Sequence, residues 1–267
     1  MNTRSGSMAG AITLALGLAI AGLSVAPEAR AGSDDSFEWS GRLSAGQTIE
    51  IKTVNGEIRA EAWSGDRVEV RATKRWRRSD PDRVSIEVIE HGDGVTICTV
   101  YPGRGNRCGA GDDGSMSVRN NDVSVDYVVR VPRGVDFAGR AVNGGVEADG
   151  LAGDVLAVSV NGSIDVSASG AVEATTVNGS IRAAMGAAHW DGEIRFRTVN
   201  GRIDLTLPEN AGAEVSASTV NGDISTELPL RVTGRFGPKK VRGTIGDGGG
   251  RLSLETVNGG ISLRTSS

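Results

Sequence analysis

The residues able to do chemistry in this chain are few. Cys98 and Cys108 stand ten apart around a glycine-rich loop, which suits a disulfide staple in an oxidising compartment. A metal pair is the rival reading, but no His or further Cys lies close enough in sequence to complete a tetrahedral set. Lys74-Arg75-Trp76-Arg77-Arg78 is the one cationic run with an aromatic inside it. Such a run can grip an anionic glycan, lipopolysaccharide or phospholipid surface, or it is a solvated strand end neutralised by Asp80 and Asp82. His91 and His189 sit beside turn-like residues, and no Ser or Cys nucleophile is paired to either by motif, so a catalytic triad is unsupported. Polysaccharide cleavage would need several acids or an Arg converging on one groove. Glu147, Asp165 and Asp204 could be recruited to that end, though charged outer faces are ordinary on any β-repeat protein. Asp112-Asp113 lacks the spaced oxygens of a calcium loop, and Gly103-x-Gly105 with Gly109 misses dinucleotide spacing. No metal and no cofactor is implied.

The elements that must position these residues are announced by a repeat. Val-Asn-Gly occurs seven times and takes seven of the twelve asparagines: Asn55, Asn143, Asn161, Asn178, Asn200, Asn221 and Asn258. Thr or a small stand-in precedes each tripeptide, and a β-branched apolar residue follows two places after it. Successive asparagines are 88, 18, 17, 22, 21 and 37 apart, so the middle of the chain has the period of one coil of a β-solenoid. Alternation on each side of the turn is apolar-in and polar-out, as in Val155, Ala157 and Ser159 before it and Ile164 and Val166 after it. Asn-Gly is also a strong hairpin signal, which keeps an antiparallel meander as the competitor. Stacking is favoured because Asp never replaces Asn. A column of amides can donate one way and accept the other, whereas stacked carboxylates repel. In such a stack Asp165, Arg182 and Asp204 form an acid-base-acid column. Asn258, last in sequence, is expected near the end of the column. The formal glycosylation signals at Asn161 and Asn178 are unusable if their amides are in it.

Residues 1–31 read as a signal peptide: Arg4, an apolar run from Met8 to Val25, and Ala29-Arg30-Ala31 at the cleavage point. The expected mature product starts at Gly32, carries 27 basic against 32 acidic residues, and has no integral membrane segment. That balance argues against nucleic acid as a partner. Aromatics are only 4%, too few for a base- or sugar-stacking platform, while 39 glycines suit many turns. The protein is expected to be exported, to the periplasm or beyond the cell.

Residues 32–46 form a lead-in, and 47–267 a single all-β domain: a parallel β-solenoid with two strands per coil and stacked Asn-Gly turns. The first coil is expected at 47–73. An insertion at 74–134 holds three alternating runs (84–90, 95–101 and 123–131), expected as antiparallel strands. A smaller excursion at 229–250 precedes the last coil. Such additions commonly cap a solenoid.

Thr-Val-Asn-Gly-x-Ile, Trp63-Ser64-Gly65-Asp66-x-Val68-x-Val70, Val129-x-Val131-Pro132-x-Gly134-Val135, Leu207-Pro208-Glu209-Asn210-Ala211 and Ile245-Gly246-Asp247-Gly248-Gly249 together carry a family likeness. Over residues 45–264 the chain resembles the bacterial exported β-repeat family of unknown function, candidate adhesins of the toast-rack type. The resemblance implies a parallel β-solenoid outside the cytoplasm and brings no catalytic or binding residues with it. The expected function is a non-enzymatic scaffold or adhesin-like surface at the cell envelope, with an envelope protein, glycan or lipid as partner. The alternatives are a module binding an anionic envelope glycan or lipid through residues 74–78, and a polysaccharide-cleaving enzyme on the same fold.

Overall fold

The computed structural model describes residues 29–31, 36–233 and 239–266. Most of the expected signal peptide lies outside them. Two eleven-stranded sheets face each other across one apolar core, and each Asn-Gly turn carries the chain from one sheet to the other. The strands before the turns build one sheet and the strands after them build the second. Within the repeats the pairing is parallel, rung on rung: Thr48–Asn55 with Asp136–Asn143, then Val155–Val158, then Val172–Thr175, then Glu193–Arg197. The second sheet stacks Ile58–Ala62, Val146–Leu151, Ile164–Ala168, Ile181–Met185 and Ile203–Leu207 in the same order. This is the two-strand solenoid that the repeat implies, and it excludes the meander.

Alternation supplies the core. Val155, Val172, Ile194 and Val215 line one inner wall, and Ile164, Ile181, Ile203 and Ile261 face them from the other, all buried. Each such side chain contributes roughly 1.5–3 kcal/mol by leaving water, which makes this stack the main source of stability. Asp165, Arg182 and Asp204 follow one another in register on the outside, with Arg182 3.1 Å from Asp165. That exposed pair sets register more than it stabilises.

The order of the rungs departs from the order of the sequence. Gly250–Asn258 pairs in parallel with Glu193–Arg197 on one side and Ala213–Asn221 on the other. Likewise Ile261–Thr265 lies between Ile203–Leu207 and Ile224–Thr226. The last coil is therefore an inner rung, and the coil before it is the terminal one. Asn258 is not near the end of the column; Asn221 holds that place. The excursion makes this possible. Lys239–Ile245 runs antiparallel along the outer edge of Ala213–Asn221, and a glycine turn with positive φ at Gly246, Gly248 and Gly249 leads across to its inner edge.

The insertion is also placed differently from expectation. Its first run, Ser85–His91, is antiparallel to Gly94–Val100. The other two runs are parallel members of the stack: Gly94–Val100 joins Thr48–Asn55, and Ser124–Val131 joins Ile58–Ala62. They form an extra rung whose turn is the long 101–123 loop. Val68–Arg75, read from sequence as part of the first coil, is instead antiparallel to Ser124–Val131 on one edge and to Ser36–Gly41 on the other. Ala29–Ala31 pairs with that last strand, within the segment expected to be removed on export.

Candidate functional site

Three features concentrate polar and exposed groups: the edge formed by the turns, the loop end of the stack, and the cationic run.

At the edge, the seven amides form one continuous, polar column. Asn143 Nδ2 donates to Asn55 Oδ1 at 2.9 Å, and the pattern continues through Asn161, Asn178, Asn200, Asn258 and Asn221 at 2.8–2.9 Å. Asn55 Nδ2 terminates it on the Val123 carbonyl at 3.4 Å. The amides sit at the solvent edge rather than in the core. The direction of the column gives a graded expectation for Asn→Asp changes. Asn200→Asp and Asn258→Asp each lose a donor and point a carboxylate at a carbonyl oxygen, costing about 0.5–1.5 kcal/mol for the bond alone. Asn55→Asp still accepts from Asn143 and is expected to melt closest to wild type. Thermal melts of the three variants check the order.

Behind the amides runs a second ladder that sequence reading missed. The buried hydroxyls of Ser159, Thr176, Thr198, Thr256 and Thr219 donate to Gly144, Gly162, Gly179, Gly201 and Gly259 carbonyls at 2.8–3.0 Å. That explains the recurring Thr, which the alternation alone marks only as small and inward. The valine between Thr and Asn points out: Val142, Val160, Val177, Val220 and Val257 each remain 37–43% exposed. From Val142 to Val220 the six rungs span roughly 24 Å at strand spacing, with Val199 half-buried among them. Its sequence signal was the strict retention of Val at a position that alternation assigns to solvent.

At the loop end, Cys98 and Cys108 are bonded, with Cα atoms 5.6 Å apart. The disulfide holds the 101–123 loop over a nearly buried carboxylate. Glu50 accepts from Thr96 Oγ1 at 2.9 Å, Gly111 N at 2.9 Å and Arg140 Nε at 2.8 Å. Lys52 Nζ sits 3.7 Å from that carboxylate and donates to the Gly109, Gly111 and Asp113 carbonyls. Burial moves the Lys52 ammonium below its ordinary value, against the opposing pull of Glu50. The cluster's charges are spent on one another and on the loop, so its chemistry is to anchor that loop. Sequence gave no sign of it, because residues 50, 52, 96, 111 and 140 meet only through stacking.

Both tyrosines of the chain brace the same end. Tyr101 donates to the Val123 carbonyl at 2.8 Å, and the Tyr127 hydroxyl lies 2.7 Å from Thr99 Oγ1. Burial pushes Tyr101 up to about 12 and Tyr127 further in the same direction. Raised folded values contribute stability below pH 10 that is lost as pH climbs through about 12. An alkaline titration followed by phenolate absorbance is therefore expected to stay silent past pH 10 and then rise together with unfolding. Gradual ionisation near 10 with the fold intact would contradict this packing.

The cationic run straddles a strand end. Lys74 Nζ donates to the Pro81 carbonyl at 2.9 Å, and Arg75 pairs with Asp126. Backbone amides of Arg78 and Ser79 donate to Asp122, whose carboxyl is held below its usual range by these bonds. Trp76, Arg77 and Arg78 project, with Trp76 42% exposed. Of the four charges, Arg75 is paired with a carboxylate and Lys74 is held on a backbone carbonyl.

No helix among the described residues is long and apolar enough to cross a membrane, and none of their His, Cys, Asp and Glu side chains group as metal ligands. His91 touches Thr96 at 3.1 Å within the Glu50 network, while His189 lies far along the chain beside Gly212.

A comparison with curated proteins found no match. Two solved structures are similar at low identity. One is a candidate cell adhesion protein from Clostridium sporogenes, 11% identical with a TM-score of 0.49, the match covering 90% of this chain and 100% of that one. The other is a candidate adhesin from Bacteroides fragilis, 14% identical with a TM-score of 0.39, covering 86% and 98%. The Toastrack DUF4097 family matches residues 47–264, the whole span of stacked rungs, and the chain belongs to that family.

Proposed function

We propose that the protein is an exported, non-catalytic scaffold whose turn edge is a contact surface at the cell envelope. The observation that carries this reading is the exposed valine row backed by two hydrogen-bonded ladders. Apolar side chains exposed in a contiguous row mark interaction surfaces on soluble proteins. A row fixed by the ladders loses little further freedom on contact. The outer acids support a structural role, since Glu147 pairs with Arg59 at 2.7 Å, Asp165 with Arg182, and Glu61 and Glu69 with Arg130. Export rests on the signal-like first 31 residues and on the disulfide.

The test is cross-linking in intact cells followed by envelope fractionation. Val142→Thr, Val160→Thr and Val177→Thr combined keep the branched strand former while removing apolar contact. The triple variant is expected to fold, to be exported, and to lose its cross-linked envelope partner. Unchanged cross-linking would reject the edge as the contact surface, and a cytoplasmic protein would reject the location. Release of products from a polysaccharide panel would reject the non-catalytic reading.

A further inference from the structure

The far end of the stack carries a concavity on the outer face of the pre-turn sheet. A trough of about 440 Å3 is bounded by Glu193, Glu214, Arg242, Thr244 and Arg251, with Ser216 and Ser253 between them. The register explains its shape. Ser253, Ser216 and Arg242 occupy consecutive strands along one row, with Glu193, Arg251 and Glu214 consecutive along the next. Two serines side by side leave a dip between long side chains. The rungs brought together here are the inner Asn258 coil and its neighbours, so the trough exists only because the last coil is inserted.

The charges in it are unevenly used. Glu193 is held by Arg195 at 3.2 Å. Arg242, Arg251 and Glu214 have no side-chain partner among the described residues. Two free guanidinium forks in one concavity suit carboxylates, which they can bind through paired hydrogen bonds. The serine hydroxyls and Glu214 can accept from ligand hydroxyls. The floor strand Ala213–Asn221 is already paired on both edges, so an acidic peptide cannot be captured there as an added strand. Recognition falls to side chains alone, matched by a ligand rich in both carboxylate and hydroxyl groups. Trp190 flanks the site, packed on Gly250 with its indole N–H on the Arg251 carbonyl at 3.2 Å.

We propose that this trough binds an acidic oligosaccharide, with sugar carboxylates on Arg242 and Arg251 and sugar hydroxyls on Ser216, Ser253 and Glu214. The proposal rests on the reading of the protein as a non-catalytic binding surface and assigns it a ligand class and a second face. It also moves anionic-glycan binding away from residues 74–78.

The experiment is calorimetric titration of the purified protein with hexagalacturonate, alongside uncharged maltohexaose and the peptide hexaglutamate. Saturable binding of hexagalacturonate is expected, with both comparison ligands at least tenfold weaker. Arg242→Gln and Arg251→Gln are each expected to weaken binding at least tenfold with melting temperature unchanged, since both side chains are exposed and unpaired. Ser253→Trp, which fills the floor, gives an independent check and is expected to abolish binding. Replacing Lys74, Arg75, Arg77 and Arg78 by Ser is expected to leave it unchanged. No hexagalacturonate binding, equal binding of hexaglutamate, or indifference to the two arginine changes overturns the proposal. Recovery of intact hexamer is expected, and shortened sugars would overturn the non-catalytic reading while leaving the trough assigned. Cellular location does not enter this measurement, so failure of the export reading is scored separately.

Discussion

A chain ending at Gly249 is expected to lose the whole far end of the stack, not only its last two strands. Leu252, Leu254, Ile261 and Leu263 are buried between rungs on both sides. At roughly 1.5–3 kcal/mol each, their removal costs about 6–12 kcal/mol, comparable with the total stability of an ordinary domain at about 5–15 kcal/mol. The Asn221 coil and the Lys239–Ile245 cap then have no rung to lie against. In a stack where each unit contacts only its neighbours, loss of an inner unit undoes everything beyond it. The expected readings are a melting temperature lower by roughly 15 °C or more and proteolysis beginning near Pro208. A drop of only a few degrees would mean that the last coil is peripheral.

Gly179→Ala is the second large effect. A Cβ at Gly179 would stand 2.1 Å from the Gly162 carbonyl oxygen, and one at Gly144, Gly162, Gly201, Gly222 or Gly259 would stand 1.9–2.1 Å from the neighbouring glycine carbonyl oxygen. Gly179 is not required by a positive φ. It is required because rungs at strand spacing bring one turn's backbone onto the next, leaving no room for a methyl group. Relief would mean parting two backbones joined by both ladders, at a cost of roughly 3 kcal/mol or more. Gly92→Ala is the control, since nothing lies within 4 Å of the added methyl group and its φ is ordinary. Melts of the two proteins, with Gly179→Ala much lower and Gly92→Ala near wild type, check the argument. Similar melting temperatures would contradict the close approach.

The glycine case shows how much was legible. Asn-Gly marked the turn, and the preference for Asn over Asp pointed to amides stacked on amides. The Thr hydroxyls and the glycine contacts were invisible, because their partners lie on a neighbouring rung 14 to 55 residues away. The same holds for the loop end. Cys98 and Cys108 suggested a staple from spacing, while Glu50, Lys52 and Arg140 carried no pattern linking them. The cationic run was conspicuous in sequence, yet Asp126, fifty-one residues beyond Arg75, takes one of its charges.

What the sequence determined by itself was the repeating unit. Turn preference and period-two alternation act over a few residues, so each coil specifies its own two strands and its inward face. What only the tertiary structure decided was the order of the coils and everything that order creates. Every coil carries the same Val, Asn and Gly turn, so the motif by itself does not say whether the Asn221 or the Asn258 coil follows the Asn200 coil. The choice falls to the connecting chain. Once Lys239–Ile245 pairs along the outside of the Asn221 coil, the short glycine turn after it brings the final segment to the inner side. Interchangeable units leave local physics silent about sequence order, and the geometry of one connection settles it.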